Sequence, residues 1–248
     1  MPTRQFFALV AGAAMLAPIG IHAASAAADK AATPDPVLVQ VVNGDWRTPE
    51  AKARDAYRHP VEALTFWGLK PGMTILEVQP GAQSWWTEIL APYAKRTGGK
   101  FYVTGADLAN PDLPESARKS RAAFEERYGK NPELYGKIDV VNWGAKSAPL
   151  PKDTFDFILT ARSVHGWMGQ PGMADKVFKE FYDSLKPGGI LALEQHRANP
   201  GPQDPKATSG YVTEQYVIAL AEKAGFKLAA TSDLNANPKD TKDHPFGV

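Results

Sequence analysis

From residue 74 onward, short apolar runs alternate with amphipathic stretches, and this alternation constrains the fold more than any other feature. Thr74–Val78 (TILEV), 101–106, 138–142, Phe155–Ala161 (FDFILTA), 190–194 and 226–230 read as strands. Helical patterns fill the intervals at 85–93, 115–128, 173–185 and Glu214–Ala224. In the third of these, Val177, Phe178, Phe181 and Leu185 recur at helical spacing on one face. Strands that are apolar on both faces and joined through helices predict an α/β protein with a single doubly wound, mostly parallel sheet.

Upstream, 49–68 carries a helical pattern through Ala53, Ala56, Tyr57, Val61, Leu64 and Trp67. Pro60 splits it in two, because proline cannot donate to the preceding turn. Thr48 is placed to cap the first part, with Pro49 in the first helical position. Lys186-Pro187-Gly188-Gly189 reads as a tight turn into the strand at 190–194, and 198–210 as a long Pro- and Gly-rich loop. No repeat and no second domain is visible. Residues 49–248 therefore form one domain, and 27–48 an N-terminal lead.

The first 26 residues have the layout of a secretory signal peptide: Arg4, then the uncharged apolar run 6–21, then small residues in A-x-A spacing up to Ala26 or Ala28. The run is shorter than the ~20 residues that cross a bilayer, and it contains Pro18 and Gly20. The expectation is a periplasmic or secreted protein with no membrane attachment after cleavage. Without Arg4 the other 27 basic residues balance 27 acidic ones. That balance argues against a nucleic-acid partner, which calls for a basic excess. The absence of cysteine excludes disulfides, thiolate zinc sites, iron–sulfur clusters, cysteine nucleophiles and lipoprotein anchoring.

In open α/β sheets, ligands bind where strands end at their carboxyl edge. The first strand holds Glu77 and leads into Gln79-Pro80-Gly81-Ala82-Gln83-Ser84. Glu77 could accept from a ribose or an ammonium group, and Gly81 would let backbone approach a ligand. Arg162 and His165 follow a later strand; Glu194, His196 and Arg197 end the next. A parallel sheet projects both groups from one edge. There His165 or His196 could act as a base, and Arg162 and Arg197 could clamp a carboxylate or phosphate. Trp86 either lines this cleft or packs beneath the sheet. Each histidine has a purely structural alternative, and His165, Glu194 and His196 could also make a metal set, although no H-x-x-x-H spacing supports it.

Four stretches, 57–78, 81–93, 155–168 and 185–198, together with 210–244, resemble class I S-adenosylmethionine-dependent methyltransferases. More narrowly they resemble an exported, predicted-methyltransferase group of Gram-negative bacteria. The resemblance implies a Rossmann-like sheet and S-adenosylmethionine as cofactor. The family's acid-x-Gly-x-Gly-x-Gly loop maps onto Glu77, Gln79, Gly81 and Gln83, with one glycine of three kept. Asp107 takes the place of the ribose-binding acid. Asn142 stands near the adenine-facing position, whose usual acid falls at Gly144. The family's final antiparallel strand, which follows the strand at 226–230, is missing or truncated here, leaving an unpaired edge. The function implied is an exported methyltransferase acting on an unknown small-molecule acceptor. The alternatives are a catalytically silent ligand-binding protein on the same fold and, less favoured, a metal-dependent hydrolase.

Overall fold

The computed structural model describes residues 4–11 and 33–244. In chain order the elements are β1 (Gln5–Ala11), α1 (Pro36–Val42), α2 (Pro49–Ala53), α3 (Asp55–Arg58), α4 (Pro60–Phe66), β2 (Thr74–Val78), α5 (Thr87–Thr97), β3 (Lys100–Ala106) and α6 (Glu115–Gly129). They continue with α7 (Pro132–Tyr135), β4 (Ile138–Trp143), β5 (Phe155–Ala161), α8 (Val164–Met168), α9 (Met173–Ser184), β6 (Leu185–His196), α10 (Glu214–Ala224) and β7 (Lys227–Ser232).

Seven strands form one sheet in the order β4-β3-β2-β5-β6-β1-β7. Among the described residues every ladder is parallel. The order runs outward from β2 through β3 to β4 on one side, and from β5 to β6 on the other. The topological switch point thus lies between β2 and β5, as expected of a doubly wound, Rossmann-like sheet.

Side chains of opposite parity along each strand feed two cores. Leu76, Ile158 and Leu191 join one, with Phe178 and Phe181 of α9. Ile75, Phe157, Leu159 and Ala192 join the other, with Leu64 of α4 and Ile89 and Leu90 of α5. This is the period-two alternation of a strand covered on both faces. Each such buried aliphatic or aromatic side chain stabilises the fold by about 1.5–3 kcal/mol.

The helix boundaries follow local chemistry. Thr48 Oγ1 accepts from the Ala51 amide at 3.2 Å and starts α2. The break expected at Pro60 falls between α3 and α4, with His59 in the left-handed region at φ 41°. Three expectations need correction. The lead at 27–48 contains α1, capped by Asp35, whose carboxylate accepts from the Val37 amide at 2.7 Å; Leu38 and Val41 lie in the core. The folded unit therefore begins before residue 49. The turn at 186–189 is absorbed into the long strand β6 as an irregularity. The pairing jumps from Phe155↔Leu185 to Phe157↔Ile190, and Gly188 takes φ 83°.

The third correction concerns the edge. Among the described residues no antiparallel strand follows β7, as expected; the unpaired edge is what differs, because β1 occupies the place between β6 and β7 in the parallel sense. Gln5–Ala11 pairs with Ile190 to His196 on one side and with β7 on the other. Arg4 anchors it: its guanidinium donates to the Leu185 carbonyl at 2.7 Å and pairs with Asp153 at 2.5 Å. These are the opening residues of the signal-like segment. The expected cleavage positions at Ala26 and Ala28 lie outside the described residues.

Candidate functional site

The carboxyl ends of β2 and β5 flank a cavity of about 210 Å³ at the switch point. Glu77 and the loop 78–83 form one wall, Ala161 and Arg162 another, and Arg54, Arg58, Trp85 and Trp86 close it. A larger, mainly apolar cavity of about 690 Å³ adjoins it, sharing Pro80, Gly81 and Ala82, and is walled by the end of β3 and by Arg121 and Phe124 of α6. That size is in the usual range for a small-molecule site.

Glu77 is buried at 2% exposure and accepts from Thr87 Oγ1 at 2.6 Å. Burial pushes its carboxyl up to about 8, against a smaller opposing effect of the Thr87 bond. At neutral pH it is chiefly a neutral acid, able to donate as well as accept.

Backbone strain gathers here. Gln79, Ser84 and Arg162 are non-glycine residues at φ 51°, 49° and 58°. The Gln79 amide donates to Thr104 Oγ1 at 2.8 Å, and its side-chain oxygen accepts from Trp167 Nε1 at 3.2 Å. Gln79 thus ties the loop to β3 and to α8 while lining the cavity. Gly81 has φ 69°, and a Cβ built on it meets nothing within 4 Å. The glycine faces open space at the seam of the two cavities, and its left-handed backbone is one that side-chain-bearing residues adopt at a cost.

Asp107 and Asn142 do come together, but on a separate cavity of about 440 Å³ that shares no lining residue with the other two. Asp107 accepts from the Ala109 amide at 3.0 Å, a local turn that fixes its carboxylate at the end of β3. Asn142 Oδ1 accepts from Arg121, which also donates to the Ala106 carbonyl at 2.9 Å. Arg121 thus bridges the ends of β3 and β4. Elsewhere α6 carries the i,i+4 ion pairs that its sequence suggests, such as Glu126 with Lys130.

The residues after β5 and β6 divide. Arg162 lines the smaller cavity, and its amide donates to the Glu194 carbonyl at 2.8 Å. The Glu194 carboxyl is buried; desolvation raises its pKa, while Arg58 and Arg162 pull it back. His165 is half-buried, with Nδ1 3.3 Å from Gln195 Nε2, and desolvation lowers its pKa. Neither His165 nor His196 is on the wall of the cavity; the His196 ring packs edge-on against Tyr211. Arg197, expected as an anion clamp, pairs with Glu214 at 2.9 Å and Asp233 at 2.5 Å, so it ties β6 to α10 and the segment after β7. Among the described residues no three His, Cys, Asp or Glu side chains converge as a metal site, so His165, Glu194 and His196 are not one.

The tryptophans are core residues first. Trp86 is 5% exposed and meets Trp67 and Trp85 edge-on, yet it also lines the smaller cavity, and its indole N–H has no hydrogen-bond partner among the described residues. Sequence reasoning missed Arg54 and Arg58. Their signal was present: basic residues four apart, upstream of α4 and β2, on a segment read only for its apolar face.

With this geometry in place, comparison with known proteins adds a consistent finding. A family model described as a methyltransferase domain matches residues 81–193, somewhat less than half of the chain. A ubiquinone/menaquinone biosynthesis C-methyltransferase UbiE from Hydrogenovibrio crunogenus is 26% identical over 136 residues, 55% of this chain and 46% of that protein. Its counterpart from Escherichia coli O1:K1 is 27% identical over 51% of this chain and 44% of the relative. The chain thus matches just under half the length of these curated relatives. Among solved structures, a SAM-dependent methyltransferase from Aquifex aeolicus is similar at TM-score 0.49 and 23% identity, covering 76% of this chain and 87% of that one.

Proposed function

We propose that the chain is an S-adenosylmethionine-dependent methyltransferase that acts on a small-molecule acceptor and is exported from the cell. The observation that carries this reading is the pair of adjoining cavities at the switch point, one charged and one apolar, meeting at Gly81. The methyltransferase-domain match begins at that same glycine.

The residues present fit such a cofactor. Open space in front of Gly81 admits a ligand to the loop backbone. Glu77 offers a protonated carboxyl to a carboxylate or hydroxyl, and the apolar cavity a place for an aromatic ring; Asp107, at the end of β3 but on a separate cavity, would reach ribose hydroxyls only if the ligand extends past the apolar cavity. When bound, the cofactor supplies a methyl group activated on a sulfonium sulfur.

The chain's own contribution is alignment. The acceptor atom must face the methyl carbon in line with the leaving sulfur; its electron pair forms the new bond while the C–S pair returns to sulfur. Gln79, locked by Thr104 and Trp167, and Arg162, locked by Glu194, hold the two sides of the cavity at fixed spacing. The titratable groups on the cavity wall are Arg54, Arg58, Glu77 and Arg162. Of these Glu77, its carboxyl pushed up to about 8, is the group able to take a proton from an acceptor near neutral pH.

The test uses full-length protein and its form lacking residues 1–26, each incubated with methyl-labelled S-adenosylmethionine and a periplasmic small-molecule extract. Label should move to an extract component, and Gly81→Val should abolish the transfer. Cofactor binding without transfer to any extract would favour the silent binding protein instead.

A further inference from the structure

Three guanidinium groups converge on the smaller cavity from separate elements. Arg54 lies between α2 and α3, Arg58 ends α3, and Arg162 follows β5. Among the described residues none of the three forms an ion pair with a carboxylate. Arg47 is different: buried nearby, it donates to both carboxylate oxygens of Asp55, at 2.6 and 2.7 Å. Arg54 instead donates to the side-chain oxygen of Gln83, and Arg58 lies 4.7 Å over the Trp85 ring.

The charges do not cancel inside the site. Glu194 faces both Arg58 and Arg162, and Asp55, already paired with Arg47, also acts on Arg58, while Glu77 is held largely neutral by burial. The excess positive charge is costly where water is partly excluded. Arg58 shows this: burial, followed by the charge of Arg162, pulls its pKa down to about 10. The Trp86 indole N–H adds a buried donor without an acceptor at the same cavity. A wall of unpaired donors and uncancelled cations beside a seat for a positively charged sulfonium is favourable only when a negative ligand shares the space.

We infer that the methyl acceptor carries a compact oxyanion, a carboxylate or phosphate, held by Arg54, Arg58 and Arg162 with the Trp86 indole N–H as a further donor. This rests on the methyltransferase reading and narrows its substrate class. Planar guanidinium forks favour oxyanions with two or more oxygens.

The experiment titrates benzoate, phenyl phosphate, benzamide and benzylamine into the full chain saturated with S-adenosylhomocysteine. At least one of the two anions should bind about tenfold more tightly than benzamide, and benzylamine should not bind. Which anion leads tells carboxylate from phosphate. Arg58→Ala and Arg162→Ala, measured at saturating S-adenosylhomocysteine, should each weaken binding of the anion far more than binding of benzamide and so erase the anion preference. Arg162→Lys, which keeps the charge and loses the fork, should retain part of it. Equal binding of anion and amide, or no anion binding at millimolar concentration, overturns the inference. So does a selective loss of S-adenosylhomocysteine affinity in the arginine variants with 5′-methylthioadenosine unaffected, because the guanidiniums would then serve the cofactor's own carboxylate. If the protein does not bind S-adenosylhomocysteine at all, the methyltransferase reading fails by itself, and the same anion series without it still decides the oxyanion site.

Discussion

The Trp167 indole nitrogen donates to the Gln79 side-chain oxygen at 3.2 Å, joining the loop after β2 to the short helix after β5 across the switch point. Trp167 is 3% exposed and packs against Trp143, Phe178 and Phe181. Two substitutions separate its two jobs. Trp167→Phe keeps most of the packing and loses the bond, and should cost about 0.5–1.5 kcal/mol. Trp167→Ala opens a cavity in the core and should cost about 3–5 kcal/mol. Urea unfolding measures both; equal losses would show that the bond to Gln79 contributes all of the effect.

Glu77 gives a pH signature. Its carboxyl has an ordinary value of 4.5 and is pushed up to about 8 in the folded protein. Between these values the folded chain holds a proton that the unfolded chain has released. Its contribution to stability therefore falls as pH rises through that window, and levels off above about 8. Glu77→Gln removes the proton linkage and keeps a group that can accept from Thr87. The wild type should lose more stability than the variant between pH 5 and pH 8. Parallel stability curves would contradict the buried, neutral carboxyl.

His165 should titrate below its ordinary 6.5, because burial and the Arg162 charge both disfavour the imidazolium more than the Gln195 contact favours it. NMR titration of the imidazole gives the midpoint. Arg162→Ala, at an exposed position, should move it upward. A wild-type midpoint above 6.5 would mean that the ring is not desolvated as described.

The sheet was readable because its strands declare themselves. TILEV and FDFILTA are apolar at successive positions, which only a strand covered on both faces tolerates. Switch-point logic led to Glu77, Gly81 and Arg162, which line one cavity, because strand order and strand ends determine where loops meet. Individual side chains were less legible. Arg162 and Arg197 look equivalent in sequence, each just past a strand, yet Arg197 is consumed by Glu214 and Asp233. Those partners lie 17 and 36 residues downstream, beyond any local pattern. Asn142 is engaged by Arg121 in a similar way. Helix α1 was missed because a seven-residue helix shows too little periodicity; the Asp35-Pro36 cap was the available clue.

Export and the fold make competing demands on the N-terminus. The residues that begin the signal-like segment also form β1, between β6 and β7. Intact-mass spectrometry of protein recovered from the periplasm of a Gram-negative host should show a chain starting after Ala26 or Ala28. Such a chain lacks β1, so the facing edges of β6 and β7 should exchange amide hydrogens faster than in the uncleaved form. An unprocessed chain retained in the cytoplasm would contradict export.

Binding of the cofactor at the Gly81 seam is the central claim, and calorimetric titration with S-adenosylhomocysteine tests it most directly. The account predicts one site per chain. Gly81→Val should abolish binding while lowering stability only by the cost of placing a branched residue at positive φ, on the order of 1–3 kcal/mol. Absence of binding at millimolar ligand, or an unchanged affinity in Gly81→Val, would contradict it.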